Sequence, residues 1–182
     1  MFYYRLPGKL PNEKIIKVIR KDFFILFKKI LFFILLIIFP WMFRDVLFSV
    51  FPNLFNGPIF YPLMLVVISA YCLSIWLFFY FSIIDYYLDV WIITNERIID
   101  IRQGGFFSRT ISEQLLYRVQ DATSEVNGFF PTILKYGNVY AQTAGTAERF
   151  FFKEIPNPEY VRDLIIKLVE KNKELHKDEN LD

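Results

Sequence analysis

Groups able to do chemistry are sparse and poorly placed in this 182-residue chain. The one histidine, His176, stands in a polar tail among Lys173, Glu174, Lys177 and Asp178. Solvation is its expected state there, and a Ser-His-Asp triad needs a buried, oriented imidazole. The one cysteine, Cys72, lies inside an apolar block; it can form neither an intramolecular disulfide nor a cysteine-based zinc site, and reads as a small packing residue. Gly104-Gly105 lacks the spacing of a dinucleotide fingerprint and reads as a hairpin turn. Asp121 and Glu125, four apart on a strand, share a face without making a metal site. Arg97, Arg102 and Arg109 flank the first turns of the C-terminal half and could gather around a phosphate, but Glu96, Asp100 and Glu113 are interspersed among them. No catalytic residue, metal ligand or cofactor is expected, and a non-enzyme is the expected class.

The elements that would position these groups follow from where charge is missing. Hydrophobic residues make up 54% of the chain while 22% is charged, so the apolar residues must be concentrated in blocks. Residues 59–84 carry no charge over a stretch long enough, at about 1.5 Å per residue, to cross a hydrocarbon core of ~30 Å. An earlier uncharged stretch from Ile30 to Phe43 is too short alone. Extending it forward would bury Arg44 and Asp45 at about 2.5–3.5 kcal/mol each, whereas extending it back to Phe23 takes in Lys28 and Lys29, whose stems can snorkel. The expected hairpin therefore occupies residues 23–85, with helices at about 23–43 and 59–84. Residues 44–57, with Pro52, Asn53, Asn56 and Gly57, are expected to form a short loop, and the Arg44-Asp45 pair reads as lying at the outer surface. A cleaved signal peptide does not fit, because a second span follows and no small-residue cleavage site is present.

Residues 1–29 carry eight Lys and Arg, the loop carries Arg44, and residues 86–182 carry twelve, so both termini are expected on the cytoplasmic side of a bilayer. Between Asn12 and Lys29, a stretch that begins in the basic juxtamembrane segment 1–22, Ile15, Ile19, Phe23, Leu26 and Phe27 recur at helical spacing, which suits an interfacial helix. The β-branched run 15–19 equally suits a strand. Lys14, Lys17, Arg20, Lys21, Lys28 and Lys29 are candidate contacts to an anionic lipid surface, at about 1 kcal/mol per residue; as topology signals they need no further role.

After Asp85 the pattern changes to short alternating runs separated by turn residues. Strands are expected at 88–92, 97–103, 107–115, 118–126, 137–143 and 149–155, with a loop and helical turn at 128–135 around Pro131. Phe150, Phe151 and Phe152 should divide between the core and the outside. Asn157, Pro158 and Glu159 read as a helix start, and Val161, Leu164, Ile165, Leu168 and Val169 form one apolar stripe over a helix at about 158–174. The β-domain spans 86–175 and a charged tail 176–182. With no linker after the second span, the domain is expected directly against the inner leaflet. Residues 86–182 hold twelve basic against fifteen acidic residues, so no nucleic-acid partner is expected on charge.

The order of elements and several segments resemble the bacterial pleckstrin-homology-like domain family of small membrane proteins with a two-helix hairpin ahead of the domain. The segments are Trp91–Ile99 with Thr94, Asn95, Glu96 and Arg97; Gly104, Gly105 and the following Phe106–Arg109; Arg118–Ala122 with Gln120 and Asp121; Tyr136–Val139 with Gly137; and Thr143–Gly145. The resemblance implies an α+β membrane protein whose antiparallel β-barrel or sandwich, of roughly seven strands and partly open, is capped by a C-terminal helix. It implies Thr94, Arg97, Gly104, Gly105, Gln120, Asp121, Gly137 and Gly145 as motif positions, and no settled activity. The expected function is that of an adaptor or scaffold in the bacterial cytoplasmic membrane, touching lipids and a protein partner or a second copy. Anionic-lipid sensing and a small transport subunit are the rivals.

Overall fold

The computed structural model describes residues 8–51, 59–105, 108–143 and 150–179, the side chains of 43–45, 47, 48 and 175–179 excepted. The chain divides into two compact units, residues 23–86 and residues 1–22 together with 87–182.

The first unit is a pair of helices, α1 (Phe23–Val50) and α2 (Phe60–Leu88). Both are apolar on every face and long enough to cross a membrane, the apolar part of α1 being Phe23–Met42. They run antiparallel: Lys29 Nζ donates to Ser82 O at 3.1 Å, Phe33 meets Phe79 edge-on at 5.1 Å, and Tyr71 Oη donates to Leu36 O at 3.0 Å. Most side chains point outward; Phe32, Leu35, Phe39, Leu73, Trp76 and Phe78 are each about half exposed or more. A soluble two-helix unit would instead bury such residues. One expectation needs correction. Residues 44–50, expected as loop, continue α1 through Pro40 to Val50. The charge argument limits how much of a helix can sit in hydrocarbon; it does not limit where the helix itself ends. The remaining loop residues 52–58 and the Arg44 and Asp45 side chains lie outside the described residues.

The second unit is α+β. Its strands are β1 (Ile15–Arg20), β2 (Val90–Thr94), β3 (Arg97–Gly104), β4 (Ser108–Leu115), β5 (Val119–Glu125), β6 (Tyr136–Thr143) and β7 (Phe150–Pro156). A short helix α3 (Phe129–Leu134) joins β5 to β6, and α4 (Pro158–Glu179) ends the fold. The strands form an antiparallel four-stranded sheet ordered β1-β2-β3-β4 and a three-stranded sheet ordered β5-β6-β7. Among the described residues the strands form two sheets and no closed barrel, so of the partly open barrel or sandwich that the resemblance implies, the antiparallel sheets and the C-terminal helix are present. The basic segment resolves to a strand: residues 15–20 pair with β2, Val18 opposite Ile92 and Ile19 opposite Trp91. The β-branched run prevails because β2 offers it an open antiparallel edge, and tertiary pairing overrides a helical spacing that has no packing partner.

The core lies between the two sheets and α4. Trp91, Ile93 and Ile98 come from the first sheet, Val139, Ala141, Phe152 and Ile155 from the second, and Val161, Ile165 and Val169 from α4, with Leu164 and Leu168 packed alongside. Each fully buried large side chain contributes roughly 1.5–3 kcal/mol. All five residues of β2 are buried, because its other face carries a second cluster of Val90, Ile92, Ile99 and Ile101. Of the phenylalanine triplet, Phe150 and Phe152 enter the core, while Phe151 stacks on Tyr140 at 4.8 Å.

Candidate functional site

The most constrained polar constellation surrounds the β2–β3 turn. Thr94 Oγ1 accepts the Arg97 N–H at 2.9 Å and the Glu96 N–H at 3.2 Å and donates to Arg97 O, so a buried threonine closes the turn on itself. That closure fixes Arg97, which is 5% exposed. Its Nε and Nη2 donate to the two carboxylate oxygens of Glu13 at 2.9 and 3.0 Å, its Nη1 pairs with Glu113 of β4, and its Nη2 also reaches Gly8 O at 2.8 Å. Glu13 in turn accepts the Leu10 N–H. Asn95 completes the clamp: its Oδ1 accepts the Lys14 N–H, its own N–H donates to Lys14 O, and its carbonyl accepts Asn172 Nδ2 from α4 at 3.0 Å. The N-terminal arm, residues 8–14, is thereby bound across the turn.

Electrostatics follow from this geometry. Burial pushes the Glu13 carboxyl up, but the hydrogen bonds from Arg97 and the Leu10 N–H, together with the guanidinium charge, outweigh it and hold the group below its ordinary range. Arg97 is raised, chiefly by its hydrogen bond to Glu13. Asp100, 1% exposed and opposite Trp91 in the β2–β3 register, is raised by burial, with Arg102 Nη2 at 2.9 Å opposing the shift. Arg97 and Arg102 are thus committed to carboxylates and Arg109 is exposed on β4, so the three do not assemble a phosphate site.

At the other end of the same sheet lies a joint. Only Lys21 and Asp22 separate β1 from α1, and only Asp89 separates α2 from β2. Lys21 Nζ meets Asp89 Oδ2 at 2.5 Å with both side chains mostly buried, Asp89 Oδ1 accepts the Gln103 N–H at 3.0 Å, and the Asp22 N–H donates to Glu154 O of β7 at 2.7 Å. The residues that link the domain to the two helices are therefore tied together and to both sheets. Sequence reasoning missed Glu13, Asp89 and Glu154; the signal for Glu13 and Asp89 was an acid in or beside a basic or apolar run, legible only once β1 is paired with β2.

The candidate lipid contacts are dispersed in role. Lys14 and Lys17 are exposed, Lys17 lying 5.4 Å over the Tyr160 ring. Arg20 is half-buried opposite Val90, Lys21 is held by Asp89, Lys28 lies over Phe24, and Lys29 is bonded to Ser82 O. Of the motif positions, Gly105 takes φ +74° in the β3–β4 turn. A Cβ on Gly137 would meet Glu125 O at 2.5 Å, so β6 can pass β5 there only as glycine. Gly104 ends β3 opposite Ser108. Gln120 is exposed at a bulge of β5 and Asp121 Oδ1 accepts the Ala122 N–H, both on a shallow groove of about 260 Å³ against α4. Gly145 and the His176 side chain lie outside the described residues. Among the described residues no cluster of three His, Cys, Asp or Glu side chains could hold a metal.

No protein-family model matches the chain, and neither does any curated protein. It is similar to a solved structure, that of a DUF1696 family protein with a pleckstrin-homology domain from Shewanella loihica PV-4. The two share 16% identity at a TM-score of 0.35, over 47% of this chain and 70% of that one.

Proposed function

We propose that the chain is a non-enzymatic, membrane-anchored adaptor with a pleckstrin-homology-like β-domain at the cytoplasmic face of the bilayer. The supporting observation is the pair of joins: two apolar helices of 28 and 29 residues connect to adjacent strands through two residues and one. A hairpin inserted in a bilayer then keeps the domain at the surface and raises its local concentration toward other membrane-bound proteins. The outer strand β4 is the contact proposed. Among the described residues it is an edge strand of its sheet, is exposed over Ser108–Thr110 and presents Arg109, which suits strand addition by a protein partner or a second copy.

The test is photo-crosslinking of the full chain in intact membranes, with a photoreactive residue at Thr110 or Ser112. Discrete protein adducts from these positions, missing when the residue is moved to Lys171, support the adaptor. Adducts to lipid alone, or none, overturn it. Anionic-lipid sensing draws on exposed Lys14 and Lys17. It receives less support because Lys21 is held by Asp89 and Lys29 by the Ser82 carbonyl.

A further inference from the structure

The helix α3 turns its apolar side chains outward. None of its six residues is buried, and Phe129, Phe130, Ile133 and Leu134 are 74, 58, 60 and 43% exposed. At about 100° per residue these four fall within an arc of about 140°, so they form one apolar face. The backbone is nonetheless well fixed. Thr132 Oγ1 caps back onto Gly128 O at 2.8 Å, Lys135 closes the C-terminus at φ +55°, and its carbonyl accepts the Asn157 N–H at 2.8 Å. A rigidly held helix turned apolar side out marks an interaction surface.

Which phase covers it is argued from its position within the β-domain. α3 connects Glu125 at the end of β5 to Tyr136 at the start of β6. Glu125 pairs with Asn138, Asn138 Oδ1 accepts the Glu154 N–H at 2.9 Å, and Glu154 O accepts the N–H of Asp22. Phe23, the next residue, begins the first apolar helix. Glu154 reaches this position through a β6–β7 register shift and a φ of +53°, an unusual conformation for glutamate that turns its carbonyl toward Asp22. The apolar face therefore stands at the end of the domain where the chain passes into α1. The opposite end, where Asn172 of α4 binds the β2–β3 turn, carries Asn95, Glu96 and the ionic clamp.

We propose that α3 is an interfacial anchor whose Phe129, Phe130, Ile133 and Leu134 side chains embed in the lipid of the bilayer that holds the hairpin. This rests on the membrane-anchored reading above. Such a helix lies in the plane of the interface with its apolar face about 5–10 Å into the headgroup and acyl boundary. Lys135 follows the apolar face directly, at the position where a cation can remain with the headgroups. The anchor gives the β-domain a third attachment besides its two covalent ones, and so sets its tilt on the surface.

The experiment uses the full chain in phosphatidylcholine vesicles, with Cys72→Ser and one cysteine at a time introduced for an environment-sensitive fluorophore at Phe130, Ile133, Leu73 or Lys171. Nitroxide-bearing lipids quench either near the headgroup or near the chain end. The expected result is quenching at Phe130 and Ile133 by the shallow nitroxide at least roughly twofold stronger than at Lys171, with Leu73 quenched by the deep nitroxide. Quenching at Leu73 without quenching at Phe130 and Ile133 overturns the anchor and leaves the hairpin intact. Loss of quenching at all four sites overturns the membrane reading itself. Shielding of Phe130 from an aqueous quencher without lipid quenching assigns the face to a protein and equally overturns the anchor.

Discussion

Arg97 sums the residue scale: one guanidinium satisfied by Glu13, Glu113 and a backbone carbonyl holds an arm from one end of the sequence against a turn from its middle. Removing one partner of a buried pair leaves the other uncompensated, so Arg97→Ala should lower unfolding stability by about 3–5 kcal/mol, measured by denaturant titration of the detergent-solubilised chain. Two buried carboxyls give opposite pH signatures. Glu13 titrates lower folded than unfolded, so its contribution is present above its unfolded value and is lost as pH falls through the folded value. Asp100 titrates higher folded than unfolded, so its contribution is greatest below its unfolded value and is lost as pH rises through the folded one. Glu13→Gln should flatten the acid limb of a stability–pH profile, and Asp100→Asn should flatten the loss on rising pH. At Gly137 the Cβ of alanine has backbone in its way at 2.5 Å, so Gly137→Ala should reduce the thermal midpoint by several degrees, while Gly104→Ala, whose nearest neighbour is the Ser108 hydroxyl at 3.3 Å, should cost less.

At the scale of elements the periodicities divide cleanly into those that suffice and those that do not. The α4 stripe and the glycine-bearing turns specify their elements because each is read within a few neighbouring residues. The segment at 15–20 supports two periodicities, and only β2, some seventy residues later, decides between them. The same pairing creates the joint between strands and helices, where Lys21 and Asp89 are each a lone charge until β1 meets β2. Asp89→Ala should destabilise the β-domain by about 1–3 kcal/mol, because the Gln103 N–H and Lys21 each lose a buried carboxylate acceptor. A double-mutant cycle with Lys21→Met should return a coupling of about 0.5–3 kcal/mol if the ion pair couples the two joins. Additive effects would show that it does not.

For the whole molecule the decisive quantity is the length of uncharged chain. Membrane-impermeant thiol labelling of intact cells, on a Cys72→Ser background, should modify a cysteine placed at Asn53 and spare cysteines at Lys9 and Lys171; the reverse pattern would invert the proposed orientation. The sequence by itself determined that two long apolar helices precede a sheet-rich segment ending in an amphipathic helix, because hydrophobic blocks, alternation and helical stripes are local properties of the chain. It also showed that the histidine, cysteine and metal-ligand chemistry of common enzymes has little material to work with. Only the tertiary structure decided that residues 15–20 of the basic N-terminal segment are a strand of the β-domain, that Arg97 is paired with the Glu13 carboxylate, and that α3 turns its apolar face outward. Each of these depends on which strand edge, carboxylate or carbonyl stands opposite a residue, and pairing across tens of residues is set by burial and register that no local window contains.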